Sequence, residues 1–286
     1  MAATGLHFGV SINPSAYYPS QAHEHVLGLL KAGLEDLEPC QLVIGDNGAG
    51  KSFLATKLLE LVGEQFDAVF MPQTRYEDAN TFLRDLAVEL DIEISSSTSN
   101  VRACLEQHVL MGYDKGRHCL IIVDGGQTLS EKSLADLEGL CSLIGARGPA
   151  VCLVLLGTQA LTKHLMDQNP AWFKHRIGGI YTLASMDPTE SADFIRHQIR
   201  RAGGNPDRLV DIETLEALIE WGEGNPGRLM QGLRASWRMA RSSGMDSLDL
   251  ETFLSAREML TLNTNNAENL STETQETVPM AHSRSA

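Results

Sequence analysis

Short apolar runs alternate with segments of helical period between about residues 40 and 184. Gln41-Leu42-Val43-Ile44, Phe66 to Met71, Cys119 to Val123 and Val151 to Leu156 read as strands, and Gly179 to Leu183 as a weaker one. Between them, Lys51 to about Val62, Glu77 to Leu90, Asn100 to Met111 and Ser130 to about Ile144 carry helical patterns. In the second of these, Phe82, Leu83, Leu86, Ala87 and Leu90 fall on one face. Ser130 is placed to cap its helix. Strands that are apolar along their whole length, separated by helices, predict a parallel sheet covered on both faces.

The pattern changes after Asp187-Pro188. Thr189 to Arg201, Ile212 to Trp221, Pro226 to Arg241 and Leu248 to about Leu260 all read as helices. Gly203-Gly204-Asn205-Pro206 and Gly222-Glu223-Gly224-Asn225 punctuate them. The expected organisation is an N-terminal segment and helix (1–39), an α/β domain (40–186), a small helical domain (187–260) and a disordered polar tail (261–286).

Composition narrows the classes. The chain has 286 residues, 43% of them hydrophobic, with 23 Lys and Arg against 37 Asp and Glu for a net charge of −14. An excess of acid repels polyanions on average, which weighs against non-specific DNA binding as the main task. The five cysteines show no C-x-x-C spacing, and Cys40, Cys119 and Cys152 sit in or beside apolar strand runs, as buried apolar side chains do in a reducing compartment. The first twenty residues lack a basic stretch leading into an apolar core. No apolar run is long enough to span a bilayer. The expected location is cytoplasmic, with contact to the inner membrane only through a partner.

The chemistry sits after the first strand. Gly45-Asp46-Asn47-Gly48-Ala49-Gly50-Lys51-Ser52 matches G-x-x-x-x-G-K-[ST] in full, between a strand and a helix. Glycines let the backbone curl so that successive N–H groups, through Phe53, face phosphate oxygens. The following helix start adds its positive end. Lys51 is expected on the β- and γ-phosphates, and the Ser52 hydroxyl on Mg²⁺. Asp124, after four apolar residues, is expected to hold that metal from a neighbouring strand. ATP and Mg²⁺ are the expected ligands. His23 and His25 are too isolated to suggest a metal site, and there is no G-x-S-x-G, H-E-x-x-H or zinc-type cysteine cluster.

With these motifs the chain resembles the AAA+ ATPases of the general secretion pathway protein A (ExeA) type and their relatives in pilus biogenesis, over roughly residues 7 to 256. The resemblance begins at Phe8-Gly9, Asn13-Pro14-Ser15-Ala16-Tyr17-Tyr18 and His23, which it places near the nucleotide base. Tyr17 and Tyr18 read equally as packing residues. The implied fold is a P-loop NTPase sheet flanked by helices and followed by a helical AAA+ lid.

Three further roles come only from the resemblance. Thr158, with Gln159 second, takes the sensor position at a strand end, where Thr158 reads also as a helix cap. Arg176 of His175-Arg176-Ile177 is an arginine finger acting on a neighbouring subunit, or else a surface residue. Arg228 of Gly224-Asn225-Pro226-Gly227-Arg228 is the lid arginine facing the nucleotide. ATP rather than GTP follows from the family; no Asn-Lys-x-Asp motif is present.

The family reads Asp-Glu-Ala-Gln where this chain has Asp124-Gly125-Gly126-Gln127. The missing Glu orients or deprotonates the attacking water, a contribution of about 10²–10⁴-fold. Asp46 and Glu131 are poorly placed substitutes. The implied function is a nucleotide-dependent assembly or regulatory factor of a bacterial envelope system, homo-oligomeric, with weak hydrolysis. The alternatives are a non-enzymatic ATP-driven switch and a DNA-associated regulator of the transposition type. For the latter, Arg234, Arg238 and Arg241 lie along one helix face that reads otherwise as a solvated one.

Overall fold

The computed structural model describes residues 17–72, 79–95, 98, 100–168 and 175–262. The expected opening at Phe8-Gly9 and Asn13 to Ala16 lies outside them, as do Glu77 at the start of the second expected helix and the expected tail beyond Leu262. Thr261 and Leu262 close the last helix.

Contacts divide the chain into two units. Of the described residues, 17–186 with 225–227 form one, and 187–224 with 228–262 the other. The first unit runs α1 (Gln21–Glu35), β1 (Cys40–Ile44), α2 (Lys51–Leu61), β2 (Phe66–Met71), α3 (Ala79–Glu89), α4 (Val101–Asp114), β3 (His118–Val123), α5 (Glu131–Cys141), a small hairpin of β4 (Ile144–Gly145) and β5 (Gly148–Pro149), β6 (Val151–Gly157), α6 (Gln159–Gln168) and β7 (Ile177–Thr182).

Among the described residues the main sheet has five strands, all parallel, in the order β2-β3-β6-β1-β7. Alternate side chains along each strand feed different cores. Leu42, Ile121 and Leu153 join Phe82 and Leu86 of α3, Leu105 of α4 and Leu137 of α5. Val43, Ile122 and Val154 join Val26 and Leu30 of α1 and Leu54 and Leu58 of α2. A strand with helices on both faces must be apolar at nearly every position, which is why β1, β3 and β6 are buried from end to end. Each such Leu, Ile or Val contributes about 1.5–3 kcal/mol on burial.

The helix expected to reach Ile144 ends at Cys141, and Ile144 enters the β4–β5 hairpin instead. The hairpin strands have two residues each, too short for periodicity to reveal. Ser130 caps α5, accepting from the Ser133 amide at 3.1 Å. β7 is an edge strand of alternating burial, hence its weak apolar signal.

The second unit contains α7 (Pro188–Arg201), α8 (Pro206–Leu209), α9 (Ile212–Gly222), α10 (Pro226–Ser242, its first two residues grouped with the first unit) and α11, residues 250–262. Asp187 caps α7 and Asp211 caps α9. Ile195, Ile199, Leu233, Trp237 and Phe253 are buried.

Candidate functional site

Parallel register decides what meets at the edge of the sheet. Ile44, the last residue of β1, lies opposite Gly157, the last of β6, and Val123, the last of β3, lies opposite Leu155. The three segments that follow, Gly45 to Gly50, Asp124 to Gln127 and Thr158, therefore emerge along one edge. β6 separates the strand that leads to Lys51 from the strand that leads to Asp124.

The loop needs its glycines. Gly48 and Gly50 hold φ of 82° and 94°, in the left-handed region where a Cβ is strained. Gly50 also lies against the His23 ring, and a Cβ there would stand 2.5 Å from His23 Nε2. His23 is buried, with Nδ1 2.7 Å from Ser20 Oγ and Tyr17 edge-on to its ring at 6.0 Å. The Tyr17 hydroxyl donates to Glu24 at 2.8 Å. Tyr17 and His23 thus pack as one group beside the loop.

No side chain caps α2, because its cap residue is Gly50. The first-turn N–H groups of Lys51, Ser52 and Phe53 are the donors that a helix start offers to an anion. Lys51 is buried, and its Nζ donates to Gly45 O at 2.7 Å and Asp46 O at 2.8 Å. Burial pushes its pKa down, while the charges of Asp124 and Asp46 oppose the shift. Asp46 and Asn47 are exposed at the turn, and Ala49 is buried beneath it.

The Ser52 hydroxyl donates to Asp124 Oδ2, and the other oxygen, Oδ1, accepts from the Gly125 amide at 2.8 Å. A hydroxyl and a carboxylate in contact are the hard oxygen donors that Mg²⁺ takes alongside phosphate. The residues present therefore fit a magnesium–triphosphate. Among the described residues no cluster of three or more His, Cys, Asp or Glu could hold a metal by itself.

The sequence-predicted partners divide. Thr158 stands at the end of β6 on the same edge, its amide 3.4 Å from Gln127 Oε1. Gln159 is exposed at the start of α6. Arg176 precedes Ile177, which lies opposite Cys40 at the other end of β1. At ~3.3 Å per residue that is about 16 Å from the loop that follows Ile44. Arg176 is thus remote from its own chain's phosphate loop. Arg228 pairs with Glu223 and lies 5.7 Å from the Trp221 ring centroid. Asp46 and Glu131 are both exposed.

Two contacts had no forewarning in the sequence. Asn225 Nδ2 donates to Asn47 O at 3.0 Å, and the Gly227 amide donates to Gly48 O at 2.9 Å. A Cβ on Gly227 would stand 2.7 Å from Gly48 Cα, so only glycine fits there without a shift. Both residues belong to the run Gly224-Asn225-Pro226-Gly227-Arg228, of which only the arginine suggested a role.

Comparison with known proteins bears on this edge. Residues 35–165 match the AAA domain family. Residues 35–165 are thus similar to an AAA domain. General secretion pathway protein A of Aeromonas hydrophila is 23% identical over 198 residues, covering 68% of this chain and 36% of that protein. The chain spans little more than a third of that relative. Among solved structures, the ORC2 protein of Aeropyrum pernix in its ADP form superposes with a TM-score of 0.69 at 17% identity, over 87% of this chain and 70% of that one. Cdc6p of Pyrobaculum aerophilum gives 0.69 at 16%, over 86% and 71%. A Walker-type ATPase of Pyrococcus abyssi gives 0.64 at 17%, over 89% and 76%. These likenesses establish the fold, a P-loop NTPase sheet flanked by helices with a helical C-terminal region.

Proposed function

We propose that the chain binds Mg·ATP at the edge formed by Gly45 to Phe53 and Asp124, and turns it over slowly. The observation that carries this reading is the Lys51–Ser52–Asp124 arrangement followed by a glycine at 125. Amides of the loop and of the first turn of α2 bind the phosphates, and Lys51 holds the β- and γ-oxygens. Bound magnesium would neutralise phosphate charge; Ser52 and Asp124 are the side chains that would hold it. Gly125 has no group to orient or deprotonate a water, so binding is expected without the usual ~10²–10⁴-fold contribution of such a group. Thr158 would face the γ-phosphate, and Arg228 keeps the lid role that the family resemblance gives it.

Arg176, far from its own loop, would serve a neighbouring copy in a homo-oligomer, where a guanidinium offsets charge on the transferred phosphoryl group. Likeness to general secretion pathway protein A favours a role as an assembly or regulatory factor of a bacterial envelope system, in the cytoplasm and at the inner membrane through a protein partner. No described helix is long and apolar enough to cross a membrane.

Phosphate release by purified protein tests the slow turnover. The expected rate is well below ~1 s⁻¹, the low end of ordinary enzymes. A rate of ~1 s⁻¹ or more that Lys51→Ala abolishes would refute it.

A further inference from the structure

We infer that the surface formed by the last turns of α7 and the C-terminal half of α10 binds the phosphate backbone of nucleic acid. The unusual feature is where the cations of an acidic chain are placed. Residues 187–262 contain nine arginines and no lysine. Seven of the nine fall in two stretches, 194–206 and 224–245, that contain no Asp or Glu at all. Arg196 is paired with Asp193 and Arg228 with Glu223. The surface charge between the two helices therefore comes from Arg200 and Arg201 on α7 and from Arg238 and Arg241 on α10, with Arg234 behind them.

Helix geometry gathers them. At 100° per residue, Arg234, Arg238 and Arg241 span about 60° of α10, at rises of about 6 and 10 Å. Arg200, Arg201, Arg238 and Arg241 are exposed, and Arg234 is half-buried. Arg201 Nε donates to the neutral Gln198 Oε1 at 3.1 Å. Burial first, then the nearby charges of Arg201 and Arg238, push the Arg234 pKa down, so the two helices bring their cations together. His197 is pushed down likewise, by burial and then by Arg201 and Arg200. Like charges held close raise the free energy of the unliganded surface, and a polyanion lowers it.

Arginine is the side chain whose planar fork matches phosphate, and cations repeating at one-turn steps along a helix can follow the repeating phosphates of a strand. A net charge of −14 repels polyanions at long range. Attraction therefore depends on this local density, and binding should be strongest at low salt.

The test is fluorescence anisotropy of a labelled DNA duplex against the full chain, without nucleotide, over a range of salt. Omitting nucleotide lets the result stand apart from the ATP reading. The wild type is expected to bind with log affinity falling linearly in log salt. The exposed triple variant Arg201→Gln/Arg238→Gln/Arg241→Gln should bind at least ~10-fold more weakly, with a slope shallower by about 2–3 at ~0.9 per lost contact. The matching triple Arg→Lys variant should keep most of the slope, which separates lost charge from lost folding. Three outcomes would overturn the inference: no binding by the wild type, an unchanged slope in the Gln variant, or displacement of the duplex by poly-glutamate at equal charge, which would assign the surface to an acidic protein.

Discussion

Gly125 holds φ 67° and ψ 35°, a left-handed conformation that other residues adopt at a cost of roughly 1–2 kcal/mol. Glycine there is a backbone requirement as well as a missing carboxylate. Gly125→Glu should therefore lose about 1–2 kcal/mol in urea unfolding. Equal stability of wild type and variant would show that the turn adapts freely.

The cysteines set a response to alkaline pH. All five are free; Cys40, Cys119, Cys141 and Cys152 are buried and Cys104 is half-exposed. Burial pushes the Cys40, Cys119 and Cys152 thiols up to about 12 from 9.0. A thiol pKa raised on folding adds stability that is fully present below pH ~9 and is lost as the pH rises from there towards ~12. The urea midpoint should fall between pH ~8 and pH ~10, and a flat midpoint would show that the buried thiols ionise as freely as in the unfolded chain.

At the scale of elements, the loop is held from a distance. Asn47 and Asn225 are 178 residues apart in sequence. Gly227→Ala should break the Gly227–Gly48 contact, because the added Cβ meets Gly48 Cα. It should weaken nucleotide affinity about 10-fold, the equivalent of ~1.4 kcal/mol, while leaving the sheet intact. Unchanged affinity by calorimetry would show that the strap is dispensable.

Periodicity and burial give the same answer wherever a run is long. β1, β3 and β6 stand where their apolar residues put them, and Asp124 follows the end of β3 as the four apolar residues before it predict. The eight residues from Gly45 to Ser52 carry the phosphate loop in their own spacing. The β4–β5 hairpin was hidden by its length. The Asn225–Gly227 strap and the His23 ring against Gly50 were hidden because long-range approach leaves no local period. The left-handed backbone at Gly125 was not legible either, since glycine permits it without requiring it.

For the whole molecule, the distance of Arg176 from its own loop is the decisive geometry. If it serves a neighbour, Arg176→Ala should leave ATP affinity unchanged and reduce phosphate release by ~10-fold or more in the assembled protein. Equal release by variant and wild type would make it a surface residue.

Nucleotide binding itself is tested most directly by titrating Mg·ATP, or a non-hydrolysable analogue, into folded wild type and Lys51→Ala by isothermal calorimetry. Saturable uptake of about one nucleotide per chain is expected for the wild type, and at least ~100-fold weaker binding for the variant, roughly the 2.7 kcal/mol that two decades of affinity represent. No uptake by the wild type, or the same affinity in both, would contradict it.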